Sequence, residues 1–325
     1  MPDLTVNYMG LELKNPLIAA SSGLTGSINS IKKLEENGIA AVVLKSLFEE
    51  QILMESKSMK GDFSLHAEET DYIKGYIRQN NLSDYLRMLE TCKKETSIPI
   101  IASINCISAS EWTDFAKQIE GSGADAIELN MFILPGDIEQ TGEQIEKIYF
   151  DIIKTVSQKV SIPIAVKIGF YFTGLAKFVF DLSIRETSAI VLFNRYYRPD
   201  IDINNMEIIA ADVFSSPYEN AIPLRWISIL SDKVKCDLSA TTGIHDGYTT
   251  IKNLLAGAKT VQVATSLYKN GPQYIQTMLE QITGWLSDHG FKSVQDIFGK
   301  MSQSHIKNPA VYERSQFMKY YSDRK

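Results

Sequence analysis

Six polar residues stand where runs of apolar side chains stop: Lys45 (VVLKS), Asn130 (IELNM), Lys167 (AVKIG), Asn194 (VLFNR), Thr242 (TTGI) and Thr265 (VATSLY), with Ser46 directly after the first. Burying a charge in apolar surroundings is costly unless it is paired, so a lysine there asks for an anionic or electron-accepting partner. An amide supplies donor and acceptor together and can fix the edge of a planar polar ligand. Taken singly, each has a plainer reading: a lysine snorkels to a rim, an asparagine caps a turn, a threonine caps a helix. Their recurrence at the ends of successive apolar runs favours one shared site.

The densest local signal is Thr241–Thr249 (TTGIHDGYT) followed by Val263–Tyr268 (VATSLY). Backbone N–H groups at a glycine turn and at a helix start point toward an anion, and Gly243 lets the chain approach one closely. Thr242 and Thr265 add hydroxyl donors. The alternative is that Gly243 only turns the chain and Thr265 only caps a helix.

The elements that must position these residues alternate regularly. A hairpin over Leu4–Tyr8 and Leu11–Leu13 comes first, around Met9-Gly10. Strands are expected over Leu17–Ser22, Ala40–Ser46, Pro99–Ile104, Ala126–Met131, Pro163–Ile168, Ala189–Asn194, Cys236–Thr242 and Thr260–Ser266. Helices follow them over Ile28–Asn37 (closed by Gly38), Leu82–Lys94, Ser108–Glu120, Gly142–Gln158, Gly174–Leu182, Pro223–Leu230, Tyr248–Leu255 and Pro272–Trp285. Ser108 and Glu111 have the spacing of a capping box. Eight apolar strands, each followed by a helix, predict a (β/α)₈ TIM barrel, whose chemistry lies at the C-terminal ends of its strands. In that fold the turns after strands seven and eight commonly hold a phosphate, which strengthens the anion reading of Gly243 and Thr265. Two polar stretches, 47–79 and 195–220, read as lid-like insertions at the mouth, and 291–325 as an extension along the outside of a single domain spanning 1–325.

Composition bounds the function from outside. The chain has 325 residues, a formal net charge of −6 and 22% charged residues, which offers no basic surface for nucleic acid. No apolar run is long enough for a membrane helix, and the first residues lack a secretory pattern, so a cytoplasmic location is expected. Cys92, Cys106 and Cys236 are too few for a disulfide frame, and the four histidines show no metal-ligand spacing.

Read together, NPLIAASSG, VVLKS, IELN, AVKIG, VLFN, TTGI and AGAKTVQVATSLY resemble the dihydroorotate dehydrogenase family, in particular its soluble class 1 branch. The resemblance runs in order over nearly the whole chain. It implies an FMN-dependent oxidoreductase acting on CH–CH bonds, with flavin over the barrel mouth. Ser22, Gly23, Lys45, Ser46, Asn130, Lys167, Asn194, Thr242, Gly243, Ala264 and Thr265 would then contact the flavin. Thr242–Gly243 and Ala264–Thr265 would hold its phosphate, and Lys167 would lie near its pyrimidine end. Lys45, Asn130 and Asn194 would also face the substrate, which is dihydroorotate or a related small planar acid. A homodimer is compatible with the resemblance.

The sequence departs from the family pattern where the proton acceptor belongs. The family carries Cys or Ser in the loop after the fourth strand; here Ile133 falls at that place, and it cannot accept a proton. Cys106 (SINCIS), just beyond the third strand, is the remaining candidate, against the plainer reading of a small residue in a turn. Tyr72, Tyr76 and Arg78 are placed to reach over the site from the 47–79 stretch, Arg195 and Arg198 flank Asn194, and an arginine suits a substrate carboxylate. Two other readings stay open: a flavin-free lyase or isomerase that uses Lys167 as a Schiff base, and a flavin binder without catalysis.

Overall fold

The computed structural model describes residues 1–48, 82–105 and 112–314. Thirteen strands are present among them. Val6–Tyr8 (β1) and Leu11–Leu13 (β2) form the expected hairpin, its Met9-Gly10 turn having positive φ at both residues (55° and 79°). The barrel strands are Leu17–Ala19 (β3), Ala41–Val43 (β4), Ile100–Asn105 (β6), Ala126–Asn130 (β7), Ile164–Ile168 (β8), Ala189–Leu192 (β9), Asp237–Thr241 (β12) and Thr260–Val263 (β13). Leu47–Phe48 (β5) adds a short side pairing to the end of β6. Pro199–Asp202 (β10) and Glu207–Ala210 (β11) lie outside the barrel.

Each barrel strand pairs in parallel with its neighbours in chain order, β13 returns to β3, and β4 joins β6, so eight strands close into the (β/α)₈ barrel expected from sequence. The β1–β2 turn is tied to the N-terminal end of the barrel by the Met9 amide, which donates to Asp237 Oδ2 at 2.9 Å. The surrounding helices follow local rules. Thr141 accepts from the Gln144 amide while Gln144 Oε1 accepts from the Thr141 amide, so the helix Gly142–Ser157 starts with a reciprocal cap. Its buried Ile145, Tyr149, Ile152, Ile153 and Val156 recur on one face, which packs against the barrel.

Three expectations are corrected. The eighth strand stops at Val263; Thr265–Asn270 is a short helix and Tyr274–Asp288 a second one, where a strand through Ser266 and a single helix over Pro272–Trp285 were expected. The insertion 195–220 is not irregular: β10 and β11 form an antiparallel hairpin whose turn is stabilised by Asp202, which accepts from the Asn204 and Asn205 amides. The alternation of Asp200, Ile201, Asp202 and Ile203 before an Asn-Asn turn already carried that signal. The extension after 291, read as lying along the outside, is packed into the fold at its start, where Val294 and Ile297 are fully buried and Val294 N donates to Asp3 O. The expected cap residues Ser108 and Glu111, and most of the segment 47–79, lie outside the described residues.

Candidate functional site

All eleven residues that the resemblance assigns to a cofactor line one cavity of about 340 Å³ at the C-terminal ends of the strands. β3 runs into Ser22 and Gly23, and β4 is followed by Lys45 and Ser46. Asn130 ends β7, Lys167 sits on β8 and Asn194 follows β9. Thr242 and Gly243 follow β12, and Ala264 and Thr265 follow β13. The barrel geometry gathers them because every parallel strand delivers its last residues to the same rim.

The turn after β12 is tightly held. Thr242 and Gly243 both have positive φ, 75° and 76°, a conformation costly for threonine and free for glycine. A Cβ on Gly243 would stand 2.3 Å from the backbone nitrogen of Asn220. Asn220 in turn donates through Nδ2 to Thr242 O at 3.4 Å and accepts from Asn253 Nδ2 at 3.1 Å, tying the turn to the helix Gly247–Ala256. Opposite it, Thr265 and Ser266 are the first residues of a helix, so their amides have no acceptor within it. Ser215 closes this end, donating from its amide to Thr265 Oγ1 at 3.3 Å, with Oγ 3.3 Å from His245 Nε2. Burial and then Lys269 hold the His245 imidazole below its ordinary value, so it is neutral at neutral pH.

The floor is polar where a barrel core is usually apolar. Lys167 Nζ donates to Gln262 Oε1 at 3.1 Å, Gln262 Nε2 donates to Glu128 Oε2 at 2.5 Å, and Lys167 Nζ lies 3.6 Å from Glu128 Oε1. Beside it, hydroxyls run inward from the cavity: Ser21 Oγ and Ser46 Oγ are 3.0 Å apart, and Ser46 Oγ and Ser103 Oγ 2.7 Å. Asn194 Nδ2 donates to Met131 O and Lys167 O, each at 3.4 Å, bridging the ends of three strands. The polar atoms buried without a hydrogen-bond partner among the described residues include Asn130 Oδ1 and Ser22 Oγ. Both belong to residues lining the cavity, as expected of groups that a ligand completes.

The arginine candidates Arg195 and Arg198 are engaged elsewhere. Arg195 lines the cavity, but it is not free to hold a substrate carboxylate. Its Nη1 donates to Val213 O, its Nη2 to Asp212 O and Phe214 O, and its Nε to Glu219 Oε2 at 3.0 Å. Arg198 shares Glu219 at 2.7 Å. These contacts clamp the insertion rather than recognise a ligand. Ile133 packs against the core and is absent from the cavity wall; its amide donates to Tyr149 OH. Cys106, Tyr72, Tyr76 and Arg78 lie outside the described residues. Sequence reasoning missed Ser21, Ser215, Gln262 and Glu128. The last two follow from a period of two, since stepping back two residues from Asn130 and Ala264 lands on Glu128 and Gln262.

A closed (β/α)₈ barrel with a glycine turn beside a lysine-floored polar cavity defines the class: a TIM barrel whose candidate site lies at the C-terminal ends of its strands. The profile of the dihydroorotate dehydrogenase family matches residues 3–286, and the chain belongs to that family. It is 25% identical over 313 residues to the catalytic subunit of dihydroorotate dehydrogenase B (NAD(+)) of Thermoplasma volcanium, covering 92% of this chain and 98% of that protein. Against the same subunit of Pyrococcus abyssi the identity is 27% over 304 residues, covering 91% and 98%. The NAD-dependent dihydropyrimidine dehydrogenase subunit PreA of Escherichia coli is 24% identical over 321 residues, covering 91% of this chain and 76% of its own length.

Proposed function

We propose that this protein is an FMN-dependent oxidoreductase acting on a CH–CH bond of a small, planar, acidic substrate. The observation that carries the reading is the joint placement of a strained Thr242–Gly243 turn, the Thr265 helix start and the Lys167 floor around one cavity. The fit to FMN rests on this structure: the Gly243 turn packs against Asn220 too closely for any Cβ, which fixes its backbone at the cavity rim, and Asn130 Oδ1 and Ser22 Oγ await partners. When bound, the flavin supplies the hydride acceptor. Thr242, Gly243, Ala264 and Thr265 would hold its phosphate. Lys167 would set a positive charge against its pyrimidine end, and the amides of Asn130 and Asn194, with Lys45, would orient the substrate over it.

The substrate is the open half of the proposal. Among the described residues lining the cavity there is no carboxylate, imidazole or thiol, and Ile133, half-buried against the core, is not part of its wall. Cys106 is therefore the proton acceptor to test, by C106A. Dihydroorotate is the first substrate to offer, since several relatives carry that name. Purified protein should show flavin absorbance at about 450 nm, and anaerobic dihydroorotate should bleach it. Bleaching by a different planar acid and not by dihydroorotate would mark a changed substrate; a protein that takes up no FMN would end the reading. The Schiff-base alternative is disfavoured by the floor itself, where Lys167 Nζ donates to Gln262 beside the Glu128 carboxylate. We also propose a homodimer: Ile201, Ile203, Met206 and Ile208 of the β10–β11 hairpin are all exposed, and a lone two-stranded hairpin is marginal without further packing. An I203D/I208D variant should then run as a monomer in sedimentation, and an unchanged wild-type monomer would refute the dimer.

A further inference from the structure

Glu128 is a carboxylate with 1% exposure in the middle of a barrel, and the mechanism above leaves it unused. It stands on β7, Lys167 on β8 and Gln262 on β13, so the contacts to Gln262 cross the barrel interior. The ring has one consistent polarity. Gln262 turns its carbonyl to the ammonium (3.1 Å) and its amino group to the carboxylate (2.5 Å); the flipped amide would set donor against donor and acceptor against acceptor. Glu128 Oε1 has no hydrogen-bond partner among the described residues, and it lies 3.6 Å from Lys167 Nζ, within strong Coulomb attraction yet beyond a hydrogen bond. Lys167 and Gln262 line the cavity, whereas Glu128 does not.

We infer that Glu128 and Gln262 are positioning residues for Lys167: Gln262 holds the ammonium away from full contact with the carboxylate, so that part of its charge faces the cavity. Gln262 is the spacer and Glu128 the counter-charge. Without the spacer, Nζ closes the remaining distance onto Glu128 Oε1 and its field at the cavity is cancelled. Without the counter-charge, that field is unmasked. The inference rests on the flavin reading for its consequence, though not for its geometry.

Two measurements test it. Sulfite binds flavins that sit beside positive charge, and its binding is read as loss of the band at about 450 nm. In FMN-loaded protein, K167M sets the floor value. Q262L, which changes no charge, should weaken sulfite binding by about tenfold or more, toward the K167M value. E128Q should strengthen it, and E128Q/Q262L should recover most of what Q262L loses, because the competing carboxylate is gone. Q262L within about twofold of wild type, or a double variant no better than Q262L, overturns the proposal. The second measurement needs no flavin: denaturant midpoints of K167M, E128Q and their double variant form a cycle. Each single change leaves a buried charge unpaired, so the double variant should be more stable than the sum of the singles predicts. Additive effects overturn the pairing. Failure of FMN uptake by wild-type protein ends the flavin reading separately, and the cycle still decides the ring.

Discussion

Gly243→Ala tests the anion turn most directly. Gly243 has φ +76°, and the added methyl would stand 2.3 Å from Asn220 N and 2.9 Å from its Cα and Cβ. The first obstacle is backbone, not the end of a flexible side chain, so relief requires the turn or the helix start at Asn220 to move. The left-handed conformation alone costs an alanine about 1–2 kcal/mol. Overpacking against a fixed neighbour adds about 1–3 kcal/mol, for a total of about 2–5 kcal/mol. The same displacement would carry the 242–244 amides away from the phosphate proposed to bind there. Losing one charge-assisted hydrogen bond, at about 1.5–3 kcal/mol, weakens binding roughly ten- to hundredfold. Urea unfolding of the FMN-free protein measures the first quantity, and fluorescence titration with FMN the second. Gly142→Ala is the control: nothing lies within 4 Å of its Cβ position, so stability and FMN affinity should hold. A Gly243→Ala protein within about 0.5 kcal/mol of wild type, with unchanged FMN affinity, would refute the picture of a rigid turn shaped around an anion.

Two further outcomes are expected. Glu219 is pushed upward by burial, but the Ser216 amide and Arg195 more than offset this, and its carboxyl titrates below the ordinary value of 4.5. Its contribution is therefore complete above that value and fades as pH falls through the lower folded one. Glu219→Gln should cost about 1–3 kcal/mol in urea at pH 7, and the gap to wild type should shrink below about pH 4.5; a gap independent of pH would disprove the charge argument. Asn130→Ala removes an amide whose Oδ1 has no protein partner. Stability should change by less than about 1 kcal/mol while ligand affinity, read by titration, drops about tenfold; a large loss of stability with intact binding would make Asn130 structural instead.

The barrel was legible in the sequence because its signal is local and repeated. Runs such as AIELN and IAVKI are short, buried and mostly apolar, and each is followed by a helix whose buried residues recur at turns of 3.6. Eight such units allow few topologies, and parallel strands send their last residues to one rim, so Lys45, Asn130, Lys167, Asn194, Thr242 and Thr265 could be grouped without coordinates, whereas Ser22, Gly23 and Ala264 came from the family resemblance. The β10–β11 hairpin was legible too, in its alternation and Asn-Asn turn, but it was masked by the surrounding polar residues.

Only the tertiary structure decided what those residues do to one another. Lys167, Gln262 and Glu128 are separated by tens of residues in the chain, and nothing local states that one ammonium, one amide and one carboxylate close a ring inside the barrel. Arg195 looked equally available for a ligand until its guanidinium was found spent on carbonyls 212–214 and Glu219. A side chain's type and strand position are written in sequence; whether its charge is free or already partnered depends on groups brought near by folding.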